Sequence, residues 1–278
     1  MTTQAVPSTE LVADALAEVR RQAPLVQCIT NDVAMDIAAN AVLAVGASPA
    51  MVSDPGEAAE FARIASALTV NIGTPHPRVV EGMTAAAAAA REAGRPWVLD
   101  PVAVGATALR NEICAALAAH RPDVVRANAS EVLALAKLLG IATGAGRGRG
   151  VDAGDAVNDA VEAARGLARR LGSVVAVTGA VDLVTDGERE VRVEGGHPLM
   201  ARVTATGCAL TAVTGAFAAT SGAFAGTVAA CAVFAAAGTR AGAVAQGPGS
   251  LRVALLDELY SLDPTRIAGG VRVEEVAR

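Results

Sequence analysis

Residues 24–45, with the sequence PLVQCITNDVAMDIAANAVLAV, decide the fold prediction. An apolar run over residues 24–29 stops at the polar tripeptide 30–32, and residues 33–45 then place apolar side chains at helical spacing. A short apolar run before a turn is typical of a buried strand, whereas the longer periodic pattern indicates a helix. The segment therefore predicts one strand–turn–helix unit.

The same alternation repeats along the chain. Further strands are predicted at residues 48–52, 68–72, 96–100, 123–126 and 174–177. The helices predicted around them cover residues 11–23, 55–65, 78–93, 106–120, 130–139, 155–171 and 247–262. Strands that alternate with helices at this spacing predict an α/β fold, in which a mostly parallel central sheet carries helices on both faces.

The remaining segments complete the predicted organisation. Residues 182–185 and 188–193 predict a hairpin across Asp186-Gly187, and residues 271–276 are expected to form a tail. The Gly- and Arg-rich residues 140–154 match no phosphate-binding motif and predict a flexible surface loop. Because no linker or internal repeat divides the chain, residues 1–278 are expected to form a single domain.

Charge and composition exclude several classes of protein. The net charge of −5 argues against a nucleic-acid partner, since such a protein needs a basic face for phosphates. Residues 207–245 are apolar, but expected breaks at residues 220–222 and at Arg240 leave pieces shorter than the roughly 20 residues that a bilayer requires. No membrane partner is therefore expected. Widely spaced cysteines and an N-terminus without a secretion signal indicate a cytoplasmic location.

Residues 203–210, VTATGCAL, predict a loop that opens into an apolar helix. The unpaired N–H groups and the dipole at a helix N-terminus can hold an anion such as phosphate. Thr206 is expected to cap the helix, Gly207 to let a ligand approach the backbone, and Cys208 to project from the first turn with a lowered pKa. The plainer alternative is that Cys208 is a small apolar core residue.

Polar residues follow several of the predicted strands, where α/β proteins bind their ligands. Asp100 and Glu131 are the carboxylates that a magnesium ion would use, directly or through water. Arg126 suits a phosphate, Asn128 could order the water shell, and Thr178 offers a hydroxyl and a backbone amide to nucleotide phosphates. These residues suit phosphoryl transfer.

Each of these residues also has a structural alternative. Asp100 would then only stabilise the turn before Pro101, Asn128 would only cap a helix, and Glu131 would only complement the dipole of that helix.

The series of strand-end motifs resembles the hydroxyethylthiazole kinase family, over residues 24–262 and in the order of that family. The motifs, each with the number of its first residue, are QCITN at 27, AN at 39, GASPAM at 46, LDPV at 99, RANASE at 126, VTG at 177 and TGC at 206. The resemblance implies a three-layer ribokinase-like fold and a homotrimer with active sites between subunits. It also implies ATP-dependent, magnesium-assisted phosphorylation of 4-methyl-5-(2-hydroxyethyl)thiazole in thiamine salvage.

The resemblance also implies roles for individual residues. The thiazole pocket would include Met51, Asn31 and the backbone at Ala205, where the family usually has glycine. Cys208 stands where ribokinase-like enzymes generally place an aspartate base, and we expect it chiefly to orient the substrate hydroxyl. The implied ligands of ATP are Arg126, Thr178, Gly207 and Asn128, and those of magnesium are Asp100 and Glu131.

Three other functions remain open at this stage. The chain could be a ribokinase-like kinase of another heterocyclic alcohol, such as hydroxymethylpyrimidine. It could instead be a sensor that binds nucleotide or thiazole without turnover, although Asp100, Glu131 and Cys208 speak against this. A purely structural oligomer has only the Ala-rich helices in its favour.

Overall fold

The computed structural model describes residues 9–141, 153–263, 267 and 269–276. Their strands form one nine-stranded sheet in the spatial order β2-β1-β3-β4-β5-β6-β7-β8-β9. The strands are β1 (Leu25–Ile29), β2 (Ser48–Ala50), β3 (Ala67–Asn71), β4 (Trp97–Asp100), β5 (Val124–Asn128), β6 (Val174–Thr178), β7 (Val181–Thr185), β8 (Glu190–Gly195) and β9 (Val271–Glu275).

The first six strands pair in parallel, and the last three add an antiparallel extension. Parallel pairing brings the carboxyl ends of β1, β3, β4, β5 and β6 to one edge of the sheet. In register, Asn71 lies beside Asp100 and Asn128 lies beside Thr178. The mostly parallel sheet predicted from the alternating pattern is therefore confirmed, and its register brings together the polar residues at the strand ends.

The prediction of a tail at residues 271–276 is wrong. Residues 271–275 form β9, which pairs antiparallel with β8. The strand carries alternating Val271 and Val273, and both pack against the core. A single edge strand takes its stability from a neighbour that is distant in sequence, so the local pattern alone did not identify it.

Helices cover both faces of the sheet. They are α1 (Thr9–Gln22), α2 (Met35–Ala44), α3 (Ala58–Ile64), α4 (Pro77–Glu92), α5 (Ala108–Ala118), α6 (Ala129–Leu138), α7 (Ala153–Leu171), α8 (Thr206–Ser221), α9 (Ala223–Val244) and α10 (Pro248–Ser261). A short 3-10 helix, Pro198–Arg202, precedes α8. The predicted loop at residues 140–154 lies largely outside the described residues.

Two hydrophobic cores fill the space between the layers. One core packs α1, α2, α8, α9 and α10 on one face of the sheet, and the other packs α3 to α7 on the opposite face. Successive residues of a strand pack into opposite cores: in β4, Val98 belongs to the first core, whereas Trp97 and Leu99 belong to the second. The three-layer arrangement places α8 over the carboxyl edge of the sheet.

Helix α9 corrects the prediction of a break at Arg240. The break at residues 220–222 is confirmed, because Gly222 adopts a φ of 78° between α8 and α9. Helix α9 then runs for 22 residues straight through Arg240, whose guanidinium pairs with Glu258 of α10. By length and composition α9 could cross a membrane, but 72% of its most apolar window is buried inside the protein. Its apolar surface is thus covered by neighbouring elements.

Candidate functional site

A chain of buried polar side chains links Cys208 to Asp100 at the carboxyl edge of the sheet. The amide nitrogen Nδ2 of Asn31 lies 3.4 Å from Sγ of Cys208 and 2.8 Å from Oδ1 of Asn71. The amide of Asn71 in turn donates to Oδ2 of Asp100 at 2.7 Å. The structure therefore brings together three residues that the sequence singled out, Asn31, Asp100 and Cys208.

Asn71 is the member of this chain that sequence reasoning missed. It is the last residue of β3, so the rule that pointed to the other strand ends applied to it as well. Its exposed fraction is only 2%, yet it carries a polar side chain that needs partners. A buried amide at a strand end was the available signal.

Asp100 is fully buried at the end of β4. Its Oδ2 atom also accepts a hydrogen bond from the hydroxyl of Thr211 at 2.7 Å and lies 3.5 Å from Nη1 of Arg126. Its Oδ1 atom has no hydrogen-bond partner among the described residues. Burial raises the pKa of this carboxyl, although the nearby Arg126 cation opposes the shift. One carboxylate oxygen is therefore left available for a ligand.

Arg126 crosses from β5 to the end of β6 and to the N-terminus of α8. Its Nη2 atom donates to the hydroxyl of Thr178 at 2.5 Å, and 12% of its side chain is exposed. A β-carbon at Gly207 would lie 2.6 Å from that same nitrogen. The guanidinium thus occupies space that only glycine leaves free, and it adds a cation to the positive end of the helix dipole.

The N-terminus of α8 begins differently from the prediction. Ala205 is the N-cap residue and adopts a left-handed conformation with a φ of 62°. The hydroxyl of Thr206 does not cap the helix, because it donates instead to the carbonyl of Val203 at 2.8 Å. Since none of the described side chains caps α8, its first N–H groups are left for a bound anion.

Cys208 lies half-buried on the first turn of α8. Burial and the negative charge of Asp100 raise the pKa of its thiol, and the nearby amides of Asn31 and Asn71 and the Arg126 cation only partly oppose this. The predicted lowering of this pKa by the helix dipole is therefore wrong. The reason is that loss of hydration and the Asp100 charge disfavour the thiolate more than the amides of Asn31 and Asn71 and the Arg126 cation favour it.

Glu131 and Asn128 form a capping box at the start of α6. Asn128 Oδ1 accepts from the backbone of Glu131 at 2.9 Å, and Glu131 Oε2 accepts from the backbone of Asn128 at 3.0 Å. The other oxygen of Glu131 accepts from the backbone of Ala103 at 2.8 Å. Both side chains therefore make the contacts expected of helix-capping residues. Each carboxylate oxygen of Glu131 accepts only one of these hydrogen bonds and keeps a second lone pair.

These residues fit a hydrated magnesium ion. In the described part of the chain, His, Cys, Asp and Glu form no cluster of three that could enclose a metal. Magnesium, however, keeps several waters and needs only one or two carboxylates. The unpartnered Oδ1 of Asp100 and the free lone pairs of Glu131 meet that need.

Met51 follows β2 on the side of the sheet that carries α8. It is half-buried and packs against the core that includes α8 and α2. The buried Gln27 of β1 fixes the loop beyond it, since its amide donates to the carbonyls of Val52 and Ala58 at 2.9 and 3.1 Å. The loop that carries Met51 therefore has a defined position.

The fold defines the class of protein, an α/β protein of ribokinase-like fold. A solved pyridoxal kinase from Staphylococcus aureus, in complex with AMP-PCP, matches 91% of this chain and 99% of its own with a TM-score of 0.60. At 16% identity this likeness shows the fold. The solved hydroxyethylthiazole kinase protein from Pyrococcus horikoshii matches more closely, with a TM-score of 0.89 and 38% identity over 96% of this chain and 100% of its own.

The chain belongs to the hydroxyethylthiazole kinase family, whose sequence model matches residues 16–265. A hydroxyethylthiazole kinase from Cereibacter sphaeroides is 58% identical over 259 residues, which are 93% of this chain and 97% of that protein. A hydroxyethylthiazole kinase from Rhizobium johnstonii is 54% identical over 98% of this chain and 99% of its own.

Proposed function

We propose that this protein transfers the γ-phosphoryl group of ATP to the hydroxyl of 4-methyl-5-(2-hydroxyethyl)thiazole, a step of thiamine salvage. The observation that carries the proposal is the meeting of Arg126, Asp100 and Cys208 around the uncapped N-terminus of α8. Phosphoryl transfer depends mainly on positioning and on neutralisation of oxygen charge. This arrangement offers both, and the family and its named relatives supply the substrate.

The phosphates of ATP would lie between Arg126 and the first turn of α8. Arg126 offers a planar fork, Thr178 a hydroxyl, and Gly207 an open stretch of backbone. Asn128 would contribute at the end of β5 through its amide nitrogen, since its oxygen already caps α6. Magnesium held by Asp100 and, through water, by Glu131 would neutralise the phosphate oxygens when it is bound.

The thiazole alcohol would bind on the other side of Cys208, between Asn31, Met51 and the backbone of Ala205. In the reaction the alcohol oxygen bonds to the γ-phosphorus, the bond to the β–γ bridging oxygen breaks, and ADP leaves. Because the transition state is loose, the alcohol loses its proton late. Cys208 chiefly orients the hydroxyl, because its raised pKa keeps it mostly as the thiol. Only the minor thiolate fraction can accept the proton that the alcohol loses, and it becomes the thiol in doing so.

We further propose a single-domain protein that assembles as a homotrimer with active sites between subunits. The resemblance to the family supports the trimer, and the exposed apolar side chains of Val33, Leu43 and Val253 would be covered by such an assembly. We also propose a cytoplasmic location, with no nucleic-acid or membrane partner. Size-exclusion chromatography with light scattering tests the assembly.

An ADP-release assay tests the activity. Purified protein, ATP and magnesium would be supplied with the thiazole alcohol, with hydroxymethylpyrimidine, or with no alcohol. We expect ADP to form with the thiazole alcohol at a rate far above the other two mixtures. Faster turnover with hydroxymethylpyrimidine would show the alternative substrate, and no alcohol-dependent ADP in any mixture would indicate a sensor without turnover.

A further inference from the structure

Asn71 uses both ends of its buried amide. Its Oδ1 atom accepts from the backbone N–H of Gly73 at 3.0 Å and from Nδ2 of Asn31 at 2.8 Å. Its Nδ2 atom donates to Oδ2 of Asp100 at 2.7 Å. In the described part of the chain, Asn71 is the only single residue whose side chain contacts both Asn31, which lies beside Cys208, and the carboxylate of Asp100.

The direction of both amides follows from their backbone contacts. A backbone N–H can only donate, so the atom of Asn71 that faces Gly73 is its oxygen, and its NH2 group faces Asp100. Likewise, Oδ1 of Asn31 accepts from the backbone of Ala34 at 3.0 Å. The NH2 group of Asn31 therefore faces Asn71 and Cys208, and the sulfur of Cys208 is its acceptor.

We infer that Asn71 is a positioning residue for the proposed reaction. It holds the amide of Asn31 against the sulfur of Cys208 and hydrogen-bonds to Asp100. The sulfur that would contact the alcohol and the carboxylate near the proposed phosphates therefore keep a fixed relative position. The inference rests on the proposed function for its role in turnover.

The backbone after β3 supports this arrangement. A β-carbon at Gly73 would lie 2.7 Å from the amide of Asn31, so the main chain packs directly against that side chain. Asn31 therefore lies between Gly73 and Asn71 with little room to rotate. Without Asn71, the amide of Asn31 would lose its oxygen acceptor and keep only the sulfur of Cys208, and Asp100 would lose one of its donors.

The test compares Asn71→Ser with Thr211→Val. Both variants remove a hydrogen bond of 2.7 Å to the same oxygen of Asp100, but only Asn71 also contacts Asn31. We expect Asn71→Ser to lower kcat for the thiazole alcohol about 10- to 100-fold with little change in KM for ATP, because misplaced reacting groups slow the chemical step. Asn71→Gln, which keeps an uncharged amide beside Asp100 but displaces it by one methylene, serves if the serine variant does not fold, and the same fall in kcat is expected.

The second readout needs no substrate. Cys208 is alkylated with iodoacetamide, and its peptide is followed by mass spectrometry. A donated hydrogen bond favours the thiolate, so we expect alkylation in Asn71→Ser to slow by more than about twofold and in Thr211→Val to stay within that limit. Equal slowing in both variants, or none in Asn71→Ser, would overturn the inference. A wild-type protein that does not phosphorylate the thiazole alcohol would refute the proposed function and leave the alkylation test valid.

Discussion

The guanidinium of Arg126 lies against the main chain of Gly207. A β-carbon at position 207 would lie 2.6 Å from Nη2 and 3.0 Å from Cζ of Arg126, so the guanidinium would have to move away to make room for it. Only glycine lets the cation reach the N-terminus of α8. The cation and the positive end of the helix dipole therefore act at the same place, which is where the proposed nucleotide phosphates would lie.

Gly207→Ala should weaken ATP binding. The added methyl group would displace Arg126 from Thr178, so we expect KM for ATP to rise about tenfold or more, as for the loss of a charged hydrogen bond. Steady-state kinetics with varied ATP measure the effect. Gly249→Ala is the control, because a β-carbon there meets nothing within 4 Å and KM should not change. An unchanged KM in Gly207→Ala would place the phosphates elsewhere.

The sequence predicted well which polar residues come together, because parallel strands bring their carboxyl ends to one edge of the sheet even when their exact limits are uncertain by a residue or two. Asn31, Asp100, Arg126 and Thr178 meet there for this reason. What depended on side-chain direction or on burial could not be predicted in the same way. A shift of the helix start to Ala205 removed Thr206 as the cap, and burial reversed the expected pKa shift of Cys208.

Distant contacts explain the other differences. Arg240 does not break α9, because Glu258 on another helix pairs with it. The last strand, β9, depends on β8, which lies far away in sequence. No local pattern carries such information.

Ala205→Gly should stabilise the protein. Ala205 adopts a φ of 62°, where an alanine costs about 1 kcal/mol more than a glycine because its β-carbon crowds the backbone. We expect the free energy of unfolding in urea to rise by up to about 1 kcal/mol. Ala116→Gly, on the exposed side of α5, should lower it by about the same amount. A loss of stability in Ala205→Gly would show that the conformation at 205 is not strained.

Asp182 should make stability depend on pH. It lies at the start of β7, where burial raises its pKa to about 6 although the backbone N–H of Gly179 donates to it at 2.9 Å. The folded state therefore holds the proton more tightly than the unfolded state, whose carboxyl titrates near pH 3.9. The contribution of Asp182 to the free energy of unfolding is fully present below about pH 4 and is lost as the pH rises through about 6.

Asp182→Asn removes this titration. We expect the variant to gain stability relative to the wild type as the pH increases from 4 to 6.5, measured by urea unfolding at each pH. Asp186→Asn is the matched control on the same hairpin. Burial works to raise the pKa of Asp186, but hydrogen bonds from Arg189 and Glu188 outweigh it and lower this pKa. Asp186 is already ionised in both the folded and the unfolded state over most of this range, so that variant should change little relative to the wild type between about pH 5 and 6.5. A gain equal to that of Asp182→Asn would contradict the assignment.

Asp100→Asn should raise the stability of the protein and lower its activity. Burial raises the pKa of Asp100, which means that its ionised form costs free energy in the folded protein despite the nearby Arg126. The neutral amide removes that cost, so we expect a higher melting temperature at pH 8. Activity should fall at least about 100-fold, because the proposed magnesium ligand is lost.

Asp123→Asn is the matched control for this trade-off. Asp123 is a second carboxyl whose pKa burial raises, and it accepts from the backbone of Trp97 at 2.9 Å at the opposite edge of the sheet. Its substitution should also raise the melting temperature, but it should leave turnover of the thiazole alcohol unchanged. If Asp100→Asn kept full activity, or if both variants lost activity alike, the carboxylate of Asp100 would have no special part in the reaction. A gain in stability with a loss of activity at position 100 alone would mean that the protein keeps a costly buried charge for its chemistry.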